Sequence, residues 1–253
     1  MISKEKLIEI SRATGLPLYQ QEKDYLLKLF LFYYYKKFGG AIFKGGTCIK
    51  YLFGLNRFSE DLDFNIKNPK VFQLQVRKTL KEMGFIGIDF EMKKEELFNE
   101  AYTAEMGFQG PLYDGRKFTQ NKFRVDAGKR IGTLMKPEWN LISSEYPETS
   151  KNFLVLSMHE EEILAEKILA MLERKKGRDL FDAWFLVKKG VKFNKKMFQK
   201  KARQAGKKIR IDFKKIVSEE EYERDMKKLT GKVIPYEQVK REIKAFLKEK
   251  IKQ

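Results

Sequence analysis

Apolar residues between positions 22 and 37 follow no single stripe. Leu26, Leu27, Phe30, Leu31 and Tyr34 run all round a helical cylinder, so the pattern predicts a helix over about 22–37 that is buried on most sides. Gly39-Gly40 is a stop signal for it. A short strand at Ala41-Ile42-Phe43 then leads into Lys44-Gly45-Gly46-Thr47, and a short helix from Cys48 to Phe53 ends at Gly54. Residues 61–66 alternate as Asp-Leu-Asp-Phe-Asn-Ile, the period of a half-buried strand. A helix is predicted over 70–83, with Phe72, Val76, Leu80 and Met83 on one face. Strands at about 85–91, 102–108 and 122–127 follow, the last two separated by the turn residues Gly110-Pro111 and Asp114-Gly115. After a strand at 153–156, Ser157-x-x-Glu160 reads as a capping box opening a helix to about Lys175. Gly177 breaks that helix, and another runs to about Val187. The remainder reads as helices, with a second capping box at Ser218-x-x-Glu221. The order helix, mixed sheet, helices predicts an α+β (α/β) chain. Pro137, Pro147 and several Ser and Glu residues interrupt the periodicity over 137–150, which divides the chain into 1–150 and a helical 151–253.

Composition narrows the chemistry. The 253 residues are 42% hydrophobic and 13% aromatic, enough for a buried core and too apolar for a disordered chain. One cysteine, Cys48, excludes a disulfide framework and a multi-cysteine zinc site, and it suits a reducing cytosol. One histidine, His159, excludes a two-histidine metal site. No apolar run approaches the ~20 residues of a membrane span, and the first residues carry no signal-peptide pattern. A cytoplasmic protein is therefore expected. Its formal charge of +18 points to a polyanionic partner, and that charge is uneven. Residues 188–253 hold 23 basic against 9 acidic side chains, +14 of the total, which leaves about +4 for the rest. Lysine-rich helices with interspersed glutamate are common solvated faces, but +14 exceeds what such mixed faces need. The tail is thus a candidate RNA footprint. Its aromatics (Phe193, Phe198, Phe213, Tyr222, Tyr236 and Phe246) recur at helical spacing with Leu and Ile and belong to a core rather than to base stacking.

The most informative stretch is Phe43-Lys-Gly-Gly-Thr47, then thirteen residues, then Asp61-Leu-Asp63. Residues two apart on a strand share a face, so Asp61 and Asp63 project side by side while Leu62 and Phe64 turn to the core. Adjacent carboxylates repel unless a cation sits between them, and hard oxygen donors suit Mg²⁺ (or Mn²⁺). Paired ions of this kind clamp an in-line phosphoryl displacement. Gly45, Gly46 and Thr47 precede a helix, where close-approaching backbone amides and the helix terminus favour a phosphate. Singly, Gly-Gly is a tight turn and Asp-x-Asp an exposed strand face; together, on strand–turn–helix–strand, they carry a site.

This arrangement resembles the signature of the DNA polymerase β-like nucleotidyltransferases. The longer string from Phe43 to Lys50 and from Arg57 to Phe64, with Arg57, Ser59, Asp61 and Asp63 in an Arg-x-Ser-x-Asp-x-Asp element, resembles the AbiEii/AbiGii toxin family within it. The resemblance covers roughly residues 15–190. It implies a polymerase β-like core with a mixed sheet, metal-dependent transfer of an NMP from an NTP with release of pyrophosphate, and a third carboxylate on a neighbouring strand. Asp126, in Lys122-Phe-Arg-Val-Asp126 before Ala127-Gly-Lys-Arg130, is the choice, and Asp89 the rival. The plain alternative for Asp126 is a surface ion pair with Arg124 or Lys122. The resemblance also implies that Lys167 reaches the triphosphate, although a lysine beside a buried stripe usually snorkels to solvent. An acidic residue of Arg178-Asp-Leu-Phe-Asp182 would line the nucleotide site, with the choice between Asp179 and Asp182 open. Ser59 would serve as a phosphate or metal-shell hydroxyl, and Arg57 as a phosphate partner or as an ion-pair partner of Glu60 or another carboxylate. Implied partners are an RNA acceptor such as a tRNA 3′ end and a cognate antitoxin, within toxin–antitoxin or phage-defence biology. A protein or small-molecule acceptor, or a silent nucleic-acid-binding module, are the alternatives.

Overall fold

In a computed structural model, residues 1–129, 132–206, 213 and 216–252 are described. Arg130 of the Ala127–Arg130 string lies outside the described residues, as do Lys207, Lys208, Arg210, Lys214 and Lys215 of the basic tail. The chain divides into two compact units, the first made of Met1–Phe53, Glu60–Gly132 and Pro137–Ser157. The second takes Gly54–Ser59, Thr133–Lys136 and Met158–Gln253.

The first unit is built on α1 (Lys4–Thr14), α2 (Leu18–Lys37), β1 (Ile42–Lys44), α3 (Gly45–Phe53), β2 (Leu62–Asn65) and α4 (Pro69–Phe85), followed by β3 (Asp89–Leu97), β4 (Ala101–Gln109), β5 (Asn121–Gly128), β6 (Glu138–Ser143) and β7 (Asn152–Ser157). Its seven strands form one mixed sheet in the order β3-β4-β5-β2-β1-β7-β6. The pairs β2–β5 and β1–β7 are parallel and the others antiparallel. Helix α2 starts four residues earlier than its apolar pattern predicted and is buried on most sides, as that pattern required. The burial includes Glu22, Asp24 and Lys28, each compensated. Asp24 meets Lys50 at 2.6 Å and Lys28 at 3.4 Å, and accepts from the Tyr51 and Tyr146 hydroxyls. Burial works to raise the Asp24 pKa, but the two lysines overcome it and hold the group below its ordinary value.

Under the sheet lies an aromatic core. Phe64 of β2 packs against Phe43, Tyr34 and Phe72 at ring-centroid distances of 5.4–5.9 Å. On β5, Phe123, Val125 and Ala127 are buried, while Lys122 and Arg124 are exposed. The inward alternation anchors both strands, and their outward residues are fixed by it.

The strand expected over 85–91 runs instead over Asp89–Leu97, because Phe85 still belongs to α4, and two further expectations change. Residues 138–143 form β6, a strand masked in the sequence by flanking prolines and by polar Glu138 and Asn140. The second change is at Ser157, which ends β7 and accepts from Asn140 rather than capping a helix. The helix cap there is His159, whose Nδ1 accepts from the Glu161 backbone at 3.3 Å.

The second unit is helical: α5 (Glu160–Glu173), α6 (Gly177–Lys188), α7 (Lys195–Gln204), α8 (Glu219–Lys227) and α9 (Tyr236–Lys252). Ile163, Leu164, Ile168 and Met171 make the buried stripe of α5. The predicted capping box at Ser218 and Glu221 opens α8. Tail aromatics pack as a core: Phe198, Tyr222 and Tyr236 are buried, and Phe193 meets Phe198 and Phe246. No helix among the described residues is long and apolar enough to cross a membrane.

Candidate active site

The Gly-Gly-Thr segment is already helical at Gly45. Gly45 adopts φ +78°, and a Cβ placed there would lie 2.1 Å from Asp63 Oδ2. Only glycine satisfies both the left-handed backbone and this close approach. Thr47 is buried, and its hydroxyl donates to the Asp61 carbonyl at 2.5 Å. Helix α3 is thereby tied to the entry of β2. The threonine of the expected phosphate turn acts through its hydroxyl on the segment that carries the aspartates.

Asp61 immediately precedes β2, and Asp63 lies within it. Asp63 is the register partner of Asp126 across the parallel β2–β5 pair. The strand order separates the two candidates for a third carboxylate by position. Asp89 opens β3, which is separated from β2 by β4 and β5, whereas Asp126 is on the adjoining strand. Thr103, opposite Asp126 on β4, donates to its Oδ1.

A residue that sequence reasoning treated only as a surface partner is central here. Arg124 Nε lies 2.8 Å from Asp126 Oδ2, and its Nη2 lies 3.3 Å from Asp61 Oδ2. Partial burial pulls the Arg124 pKa down, but the carboxylates of Asp126, Asp61 and Asp63 outweigh it and raise the pKa. All three aspartates therefore act on one cationic group. Lys122, the other candidate partner of Asp126, pairs with Glu105 instead. Three carboxylates from two neighbouring strands are the hard-oxygen chemistry that suits a divalent ion. Among the described residues, however, no three His, Cys, Asp or Glu side chains are gathered closely enough to hold a metal. The side chains converge on the guanidinium.

The second unit carries the remaining motif residues. Arg57 is buried and grips Asp182 bidentately, with Nε–Oδ1 and Nη2–Oδ2 both at 2.7 Å. Its other anticipated partner, Glu60, pairs with Lys23. Lys167 lies 2.7 Å from Asp182 Oδ2 and 3.5 Å from Asp179 Oδ1. Its ammonium is held in a buried ion pair, not sent to solvent. Burial would raise the Asp182 pKa, yet Arg57 and Lys167 bring it down to about 2. Both Asp182 oxygens are engaged. Asp179 differs: Oδ1 meets Lys167 and Arg174, while Oδ2 is buried with no hydrogen-bond partner among the described residues. Ser59 is buried. Sequence reasoning missed Glu162, which is fully buried, accepts from the Leu134 and Met135 backbones and pairs with the buried Lys201 at 2.5 Å. Glu162 lies on the apolar side of α5, and that position was its only visible sign.

A mixed sheet thus sets a Gly-Gly turn against an Asp-x-Asp strand, with Asp126 in register beside Asp63, the arrangement that the nucleotidyltransferase resemblance implies. The fold is shared with solved structures. The nucleotidyltransferase toxin MenT4 of Mycobacterium tuberculosis matches with a TM-score of 0.70 and 16% identity, covering 96% of this chain and 87% of that one. JHP933 of Helicobacter pylori matches with a TM-score of 0.58 and 22% identity, covering 88% of each chain. An uncharacterized protein of Aquifex aeolicus is 25% identical over 214 residues, spanning 83% of this chain and 85% of its own. The model of the family described as nucleotidyl transferase AbiEii toxin, type IV toxin–antitoxin system, matches residues 30–250, and the chain belongs to that family. It is a nucleotidyltransferase toxin of a type IV toxin–antitoxin system. Membership implies an NTP substrate and a cognate antitoxin, and the family generally works with divalent metals.

Proposed function

We propose that this toxin transfers an NMP from an NTP to a hydroxyl of an RNA, with the 3′ end of a tRNA as acceptor, in a cytoplasmic phage-defence role. The observation that carries the reading is the register pairing of Asp63 with Asp126, with Gly45 opened to admit the Asp63 carboxylate. Asp61, Asp63 and Asp126 would hold Mg²⁺ or Mn²⁺, which when bound supplies charge neutralisation at the transferring phosphoryl group. Asp126, whose Oδ1 accepts from Thr103, would accept hydrogen bonding from the attacking hydroxyl and draw its proton. Gly45, Gly46 and Thr47 shape the turn in which the β- and γ-phosphates would rest, with Ser59 contributing a hydroxyl. Lys167 would offset the charge of departing pyrophosphate. Asp182 fixes the Lys167 ammonium, and Asp179, whose Oδ2 is buried with no hydrogen-bond partner among the described residues, would be the carboxylate that takes a substrate hydroxyl.

The RNA half rests on charge. Lys240, Arg241, Lys244 and Lys248 line one groove along α9, a spacing that suits consecutive phosphates. The deciding experiment incubates the protein with each α-labelled NTP and total RNA or total protein. Label in RNA, abolished by Asp61→Asn and by Asp63→Asn, is the expected result. Label in the protein fraction would move the acceptor to a protein, and transfer that survives either substitution would end the metal reading.

A further inference from the structure

We propose that Arg124 is a resident counter-cation of the three aspartates, and that a divalent ion binds by displacing it. The inference rests on the metal reading above and adds a competitor that the reading lacks. Arg124 is two residues before Asp126 on β5 and shares its face. Its Nε and Nη2 meet Asp126 Oδ2 and Asp61 Oδ2, and Asp63 faces the same charge. Those two oxygens belong to carboxylates that would hold the ion. A lone pair directed at a guanidinium proton is withdrawn from coordination, so the ion and Arg124 compete for the same donors.

The fold makes this exchange inexpensive. The β5 backbone is fixed on both sides, by Asp63 of β2 and Thr103 of β4, so the carboxylates stay in place when the guanidinium leaves. The Arg124 side chain is 46% exposed and can turn into solvent without disturbing the core. A triphosphate offers the displaced guanidinium a bidentate partner. Metal and nucleotide therefore bind cooperatively: each removes the cost that Arg124 imposes on the other.

The test measures Mn²⁺ affinity of the full chain by electron paramagnetic resonance, with and without a non-hydrolysable NTP analogue, for the wild type, Arg124→Gln and Arg124→Lys. Arg124→Gln should bind Mn²⁺ about tenfold more tightly than the wild type without nucleotide, a difference of ~1.4 kcal/mol. The analogue should tighten Mn²⁺ binding strongly in the wild type and little in Arg124→Gln. In EDTA, Arg124→Gln should melt below the wild type and recover more on Mn²⁺ addition. Arg124→Lys, which keeps the charge without the fork, should fall between the two, and it supplies the affinity comparison if the glutamine variant does not fold. Mn²⁺ binding that is unchanged or weakened by both substitutions, while the wild type binds, overturns the proposal alone. Mn²⁺ bound by none of the three overturns the metal reading, and the proposal with it.

Discussion

At the scale of single residues, the site depends on one backbone position. Gly45 was legible in the sequence as a glycine that lets a phosphate approach. The structure adds a reason internal to the protein, since the Asp63 carboxylate occupies the volume that a side chain would fill. Gly45→Ala meets both a positive φ and a Cβ only 2.1 Å from Asp63 Oδ2, so Asp63 must rotate away or the turn must shift. We expect NMP transfer to fall by at least ~100-fold, with stability reduced by about 1–3 kcal/mol and the fold retained. Gly40→Ala is the control, because nothing lies within 4 Å of its added carbon, and it should leave the labelled-NTP assay unchanged. The aspartates show where residue-level reading stops. Asp61 and Asp63 are adjacent in sequence, so strand alternation alone puts them on one face. Asp126 and Asp89 both sit on alternating segments, the string after Asp126 favours it by resemblance, and the strand order adds that Asp126, not Asp89, adjoins β2. That order depends on pairing between segments sixty residues apart, which no local pattern encodes. Arg124 was visible as a possible partner of Asp126, but its simultaneous reach to Asp61 required the same long-range pairing.

At the scale of elements, helices α5 and α6 are joined by charge inside the second unit. Lys167 of α5 and Arg57 of the Gly54–Ser59 segment both bind Asp182 of α6. The folded pKa of Asp182, about 2, lies below the ordinary value of 3.8. The native state therefore binds fewer protons than the unfolded chain between those values. Its stabilising effect is fully present above about pH 4 and is lost as the pH falls through 2, on the order of 2 kcal/mol. Acid denaturation followed by circular dichroism should show this limb in the wild type. In Asp182→Asn the limb should flatten, because the carboxamide does not titrate. The same variant should lose ~3–5 kcal/mol at neutral pH, since Arg57 and Lys167 lose the buried carboxylate they share. Equal acid limbs in the two proteins would contradict this. Caps belong to the same scale. Ser218 and Glu221 were read correctly because the box is complete within four residues, and Ser218→Ala should lower the unfolding free energy in urea by about 1 kcal/mol. The pattern at Ser157 and Glu160 is identical in spacing but fails. Ser157 is claimed by the β-ladder and by Asn140, so the helix starts after His159. A local signal lost to a tertiary one.

At the scale of the whole molecule, charge and core explain what could be read early. The burial of α2 and the helical second unit followed from apolar periodicity, and the tail aromatics went to the core as their spacing required. Strand β6 escaped because its residues alternate weakly: Trp139 and Leu141 are half-exposed, so the polar positions are not set against a buried face. The division of charge leads to the last prediction. Specific recognition of a nucleotide needs few charges placed well, whereas holding a long polyanion needs many placed loosely. On the proposed function, the aspartate strands would serve the first and the α9 groove the second. Each lysine or arginine that contacts a phosphate releases about one condensed counterion, and for a single strand the slope of log affinity against log salt changes by ~0.7 per contact. Replacing Lys240, Arg241, Lys244 and Lys248 by glutamine should then weaken RNA binding at low salt and make the slope shallower by about 3. The replaced side chains lie on the groove rather than in the α9 core of Val239, Ile243 and Leu247, so the helix should persist. NTP binding should be unaffected, because the aspartate strands are untouched. A variant that loses RNA affinity with an unchanged salt slope would show that the groove matters to folding and not to phosphate contact. A variant with wild-type RNA affinity and slope would move the acceptor elsewhere on the surface.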